Sequence, residues 1–283
     1  ALAVDGFLDH ILRTQLTEED DETGEITSVA DAKNRLKEVI FDTSATTWTP
    51  DESVKPALAY QYVDAMKQWI IPPKAKTFKD LAHLQIFDAD WHELSDKNID
   101  RNDPDCILKT ENNKLKIWFP GNWILAYALA SVPARGRQLA YNDSGEADEQ
   151  ISKFEAGKIS WVKNISALAG MTKRQGFIKQ YPDEQFGMHF TTNKTSKSRR
   201  GYNVPWMPDN LAYWVIRLRS WQTKYNPITA PTPWLSCERT NMNESQRRAK
   251  GSNCFLFRDF GREEPPYFNG RLTNRIAAAL YHS

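Results

Sequence analysis

The chain has no apolar run approaching the roughly 18–20 residues of a membrane span, so it offers no transmembrane helix. It also lacks the charged and then apolar opening of a secretory signal, and a cytoplasmic protein is expected. Cysteine is scarce: Cys106, Cys237 and Cys254 stand far apart, with no C-x-x-C pair and no Cys/His cluster. That spacing argues against a zinc site and leaves reduced thiols as the expectation. Internal repeats and low-complexity tracts are absent. Neither sign of charge dominates, since 37 Lys+Arg against 36 Asp+Glu leave a net charge of +1.

What is present is an uneven distribution. Residues 1–110 carry about ten net negative charges and residues 151–224 about nine net positive ones. A basic stretch interleaved with Trp and Tyr suits either a phosphate backbone or a solvated face. Ten tryptophans are many for 283 residues, and they suggest well-packed satellite cores or aromatic partner surfaces. The length accommodates two modest domains or one large one.

Apolar periodicity predicts helices over 1–15, 28–41 and 57–71, the last stopped by Pro72 and Pro73. Residues 17–25 read as an acidic loop and 43–56 as a turn-rich linker. Residues 78–94 read as helical or mixed, 98–106 as a loop, and 115–119 as a short strand or the lead into a helix. That helix is expected to be capped by Asn122 and ended by Pro133 just before Arg135. Three short strands are expected over 177–180, 186–192 and 202–206, followed by a strong helix from Pro208 to Tyr225. Residues 226–234 form a Pro-rich loop, 241–251 a polar and basic segment, 255–257 a strand and 272–281 a final helix.

Two signals carry chemistry. Arg135 follows a buried helix, with Arg137 two residues on. A permanently charged planar fork, rigidly held, is what stabilises the charge that builds on a phosphodiester in its transition state. Lys194 lies on the expected hairpin, where a fixed ammonium could protonate a leaving oxygen. Lys197, Arg199 and Arg200 in the same turn would touch backbone phosphates. Either signal alone fits an ordinary surface cation. The segment 144–148 adds Glu146 and Asp148. A structural role is expected there: Asp143 or Ser144 capping a turn, and a carboxylate neutralising Arg135 or Arg137.

Together and in this order the signals resemble the tyrosine recombinase, or phage integrase, family. The run Pro133-Ala134-Arg135-Gly136-Arg137-Gln138-Leu139 is similar to that family's first-arginine motif G-L-R-x-S-E-L, with Gln138 where an acidic residue is usual. The run from Asn193-Lys194-Thr195 to Val204-Pro205 resembles its hairpin motif. The segments NDPDC, VPARGRQLAYNDSGEAD, TNKT and LRSWQTKYNP resemble phrases of a subgroup of large bacterial integrases. The resemblance covers about residues 55–240.

It implies an α+β, mostly helical fold. A helical N-terminal core-binding-like domain would span 1–110. Residues 111–283 would hold the first part of a catalytic domain with a small antiparallel three-stranded sheet. It also implies double-stranded DNA as partner, assembly as a tetramer on DNA, no membrane association, and neither metal nor other cofactor. Arg135 and Lys194 would be catalytic, and Arg137, Lys197, Arg199 and Arg200 would bind DNA.

One part of the family pattern is missing. No His-x-x-Arg follows Lys194; His10-Ile-Leu-Arg13 stands in the wrong order. Tyr267 and Tyr281 read as packing residues rather than nucleophiles. With Ala1 at the start, a fragment of a longer integrase is expected. A non-catalytic DNA-binding module and a protein-interaction scaffold are the alternatives.

Overall fold

In a computed structural model the described residues are 2–19, 26–29, 32–34, 58–94, 99–182, 185–193, 201–267 and 270–283. By chain contacts they divide into two compact units, Ala1–Ala57 and Leu58–Ser283. The boundary expected at 110 falls inside the second unit.

In the first unit α1 (Leu2–Thr14) forms where the amphipathic pattern places it. The acidic segment that follows is in part a strand: β1 (Thr17–Glu19) pairs antiparallel with β2 (Ile26–Ser28). Ser28 therefore ends a strand instead of capping a helix, and Val29 and 32–34 are not helical. The rest of the expected helix over 28–41, and the linker over 43–56, lie outside the described residues.

The second unit opens with α2 (Tyr60–Ile70), which the two prolines stop. Two short 3₁₀ turns, Phe78–Leu84 and Asp88–Asp90, lead into β3 (Trp91–Glu93). β4 (Leu108–Glu111) and β5 (Lys114–Trp118) form a tight hairpin, and β5 is the central strand of a β3-β5-β4 sheet. Its two-residue turn puts Asn112 and Asn113 at φ 51° and 58°, the left-handed pair that a type I′ turn requires.

Next comes α3 (Gly121–Ser131), buried on all sides from Gly121 to Ala128 because its residues are apolar all round. Asn122 lies inside this helix rather than capping it. Its amide donates to Asp90 Oδ1 at 2.9 Å. The short α4 (Gly136–Ala140) follows Arg135. A second hairpin, missed in the sequence, joins β6 (Gln150–Glu155) to β7 (Lys158–Lys163). The three expected strands are β8 (Ile178–Gln180), β9 (Phe186–Phe190) and β10 (Tyr202–Val204), antiparallel in the order β10-β9-β8. So the fold is α+β, with small antiparallel sheets among helices.

α5 (Asp209–Tyr225) starts after Pro208 and buries Leu211, Trp214, Val215, Leu218 and Trp221. Then come β11 (Thr232–Pro233), α6 (Glu244–Arg248), β12 (Ser252–Asn253) and α7 (Arg271–His282). Residues 255–257 are buried turn, not strand; Phe255 makes a single bridge to Asp143. The main core joins α2, α3, α5 and α7, with Trp118, Trp123, Trp214 and Trp221 inside it. Arg275 of α7 pairs with Asp90 at 2.6 Å, fully buried, and lies over the Phe87 ring. Among the described residues, no helix is long and apolar enough to cross a membrane.

His92 on β3 stacks on Phe260 at 4.9 Å, and its buried Nε2 has no hydrogen-bond partner among the described residues. Burial and then the charge of Arg271 hold it down to about 4, against the opposing pull of Asp259. The folded protein thus keeps His92 neutral, while the unfolded chain takes up a proton near pH 6.5. Stability is expected to fall as pH drops from about 6.5 toward 4. Thermal melts across that range should show a shallower decline in His92→Phe than in the parent; equal slopes would contradict this assignment.

Candidate nucleic-acid interface

α4 sits where three segments converge. Arg135 is extended at φ −71°, ψ 141°, and its N–H donates to Gln138 Oε1 at 3.1 Å. This bond fixes the backbone just where the chain leaves Pro133, while the Arg135 side chain stays exposed. Gln138 thus braces the backbone of Arg135. Its amide Nε2 also reaches Thr192 O and Tyr202 Oη, each at 3.4 Å. Those two residues belong to the two stems of the hairpin whose connection contains 194–200.

Further bonds tie α4 to the same stem. Thr191 Oγ1 donates to Tyr141 O at 2.7 Å, and Asn253 Nδ2 donates to the same carbonyl at 3.1 Å. Lys250 Nζ donates to Thr191 O at 2.5 Å and lies 5.4 Å from the Trp234 ring centre. Arg137 Nη1 donates to Tyr141 Oη at 3.1 Å, and that hydroxyl also bonds Asn241. Tyr141 meets Trp234 edge-on at 5.4 Å. Arg135, Arg137 and Lys250 thus stand around one aromatic-backed turn beside the hairpin. Lys194, Lys197, Arg199 and Arg200 lie outside the described residues.

Tyr141 and Lys250 were not singled out in the sequence, and Gln138 was noted only as a departure from the motif. Gln138 had a signal, its place three residues after Arg135 at a helix start. Lys250 had only the basic composition of 241–251.

The acidic segment after α4 works differently from expectation. Asp143 Oδ1 accepts from Gly145 N at 2.6 Å, a local turn of the expected kind. Its other oxygen accepts from Cys254 N at 2.7 Å and Gln175 Nε2 at 2.8 Å. Burial pushes this carboxyl up to about 7 against those donors. Glu146 instead grips Arg258, with Oε2 at 2.6 Å from Nη1 and Oε1 at 3.1 Å from Nη2. Burial pushes Glu146 upward, but the charge and bonds of Arg258, with Ser144 and Thr223, outweigh it and hold the carboxyl below its ordinary value. Asp148 accepts from Thr172 Oγ1, Gln175 N and Gly176 N. These carboxylates are committed to building loops. Among the described residues, no group of three or more His, Cys, Asp or Glu could hold a metal ion.

The three thiols are free and buried, and burial pushes each above its ordinary value. Tyr267 and Tyr281 are exposed, not packed as expected. Tyr267 lies against Arg239, and His282 stacks on Trp69 at 5.3 Å.

A small α+β protein with a cationic turn beside a hairpin is the class that this arrangement defines. Residues 1–235 match a protein-family model described as "Putative integrase". That span is most of the chain, and the chain belongs to this integrase family. No curated protein and no solved structure matches it.

Proposed function

We propose that this integrase is a tyrosine site-specific recombinase, acting on double-stranded DNA during integration or recombination. Arg135 clamps the two non-bridging oxygens of the scissile phosphate, and Lys194 protonates the 5′-hydroxyl leaving group. Arg137, Lys197, Arg199 and Arg200 hold neighbouring backbone phosphates. The observation that carries this reading is Gln138. One side chain ties the backbone of Arg135 to Thr192 and Tyr202, which flank in sequence the segment that contains Lys194. In this reading that bracing brings Arg135 and Lys194, about sixty residues apart in sequence, to one phosphate. In this reading the DNA-clamping surface lies within 1–110 and the catalytic portion within 111–283, and the protein assembles as a tetramer on its site.

A second reading is a DNA-binding module without cutting chemistry, since exposed arginines on a fixed backbone grip phosphates without cleaving them. Incubation of the chain, and of a longer protein that carries it, with a nicked suicide duplex separates the two, because only a recombinase traps a covalent 3′-phosphotyrosyl adduct. Both readings require binding to duplex DNA that weakens steeply as salt rises, measured by fluorescence anisotropy. Binding that is absent at low salt would overturn both.

A further inference from the structure

A second cationic feature lies on the far strand of the three-stranded sheet, around β8. Arg219 projects from α5 toward the β6–β7 hairpin and is 93% buried, at 7% exposure. Its Nη1 donates to Ser152 Oγ at 3.1 Å, and its Nη2 donates to Ser152 O. It forms no ion pair with a described carboxylate, since Glu146 is engaged by Arg258 and Asp148 is engaged by Thr172, Gln175 and Gly176. A cation taken from water without a counter-charge is an expensive group to keep in a fold.

The same guanidinium lines a cavity of about 100 Å³, shared with Lys179, Arg174, Ser152, Asp148 and the Gly176 backbone. One water needs roughly 10–15 Å³, so there is room for a larger polar guest. Three cations and one carboxylate bound this space, an excess of two positive charges. Lys179 Nζ is held at 2.5 Å from Arg174 O, which fixes its ammonium beside the cavity. Burial drives Lys179 below its ordinary value, with the Arg174 charge acting in the same direction. Burial likewise holds Arg219 down to about 10, and Glu146 and Asp148 offset this only in part.

We propose that this cavity is a binding site for a phosphate-class oxyanion, gripped by Arg219, Lys179 and Arg174. Guanidinium forks and ammonium groups on an oxyanion supply charge-assisted bonds, and the Ser152 hydroxyl adds a neutral one. The site is separate from the turn at Arg135 and does not depend on the recombinase reading. Its phosphate is either a free ion or part of a nucleic-acid backbone.

The test is a titration of the whole chain with inorganic phosphate at constant ionic strength, with chloride as the reference, read by thermal shift and calorimetry. Phosphate should raise Tm progressively by mass action, and chloride should not. Lys179→Gln should bind phosphate about tenfold or more weakly while keeping its chloride Tm. Arg219→Gln should lose the response; since it also loses the Ser152 bonds, the Lys179 variant carries the test if that protein fails to fold. Displacement of phosphate by a short duplex would assign the occupant to nucleic acid, and coexistence of both ligands would assign it to the free ion. No phosphate-specific rise in Tm, or equal phosphate affinity in the parent and Lys179→Gln, would overturn the proposal.

Discussion

Replacing Arg258 with alanine is expected to destabilise the 58–283 unit by about 3–5 kcal/mol. Arg258 is fully buried and holds both oxygens of Glu146, while further N–H groups reach Asn226 O and Phe255 O. Removing it strands a buried carboxylate and orphans two carbonyls, each a costly loss in low dielectric. At that size the loss corresponds to a fall in Tm of about 6–20 °C. The pH dependence should also change sign. In the parent, the lowered Glu146 carboxyl contributes stability above the unfolded value near 4.5, which is lost as pH falls through the folded value. Without Arg258, burial acts on Glu146 against only the Ser144 and Thr223 hydroxyls, so the variant should lose more stability as pH rises. Glu146→Leu combined with Arg258→Met should recover most of the loss, because a matched apolar pair leaves no stranded charge. Urea unfolding of the parent, Glu146→Leu, Arg258→Met and the pair measures the cycle, with Arg258→Ala alongside. A single-variant loss under about 1 kcal/mol would show that the pair is not what holds the 143–148 segment to 226 and 255–258.

If the chain acts as part of a longer recombinase that supplies the nucleophile, Arg135→Ala in that protein is expected to lower DNA strand cleavage by about 10²–10³-fold, the usual cost of one preorganised donor to transition-state charge. The side chain is exposed while its backbone is fixed by Gln138, so the fold should be unaffected. Arg135→Lys keeps the charge but loses the two-pronged grip, and should recover only part of the rate. Gln138→Ala should slow cleavage more than it weakens DNA binding, since it positions Arg135 without contacting a phosphate. If Arg135→Ala cleaves as fast as the parent, the arginine is a surface cation and nothing more.

Much of this framework was legible because its signals were long or sharply punctuated. α5 shows five apolar residues on one face after Pro208, and β8, β9 and β10 are separated by strong turn residues. The two missed hairpins were also written in the sequence, but faintly. Asn112-Asn113 and Ala156-Gly157 each turn the chain in two residues with φ positive at both, and Ala156 is a poor advertisement for that conformation at φ 50°. Residues 255–257 misled because three apolar residues in a row look like a strand. Their backbone is instead satisfied by the loop after α4, through Leu256 N to Asn142 O and Ser144 N to Cys254 O. Buried arginines were invisible for a physical reason. Arg219, Arg258 and Arg275 are indistinguishable by residue type from the exposed ones, and their burial depends on partners far along the chain. At the candidate site the sequence supplied Arg135 and Arg137; the convergence of Gln138, Tyr141 and Lys250 on one turn is tertiary.

The central claim is that Arg135 and Lys194 act on one phosphate. Its most direct test is a double-variant cycle of duplex binding, by anisotropy across a salt series, for the parent, Arg135→Ala, Lys194→Ala and the pair. The account predicts that each single variant weakens binding and flattens the logarithmic salt slope by about 0.9. It also predicts that the double variant's loss departs from the sum of the two, as for neighbours on a shared partner. Strictly additive losses, or a double variant that binds duplex as tightly as the parent, would contradict it.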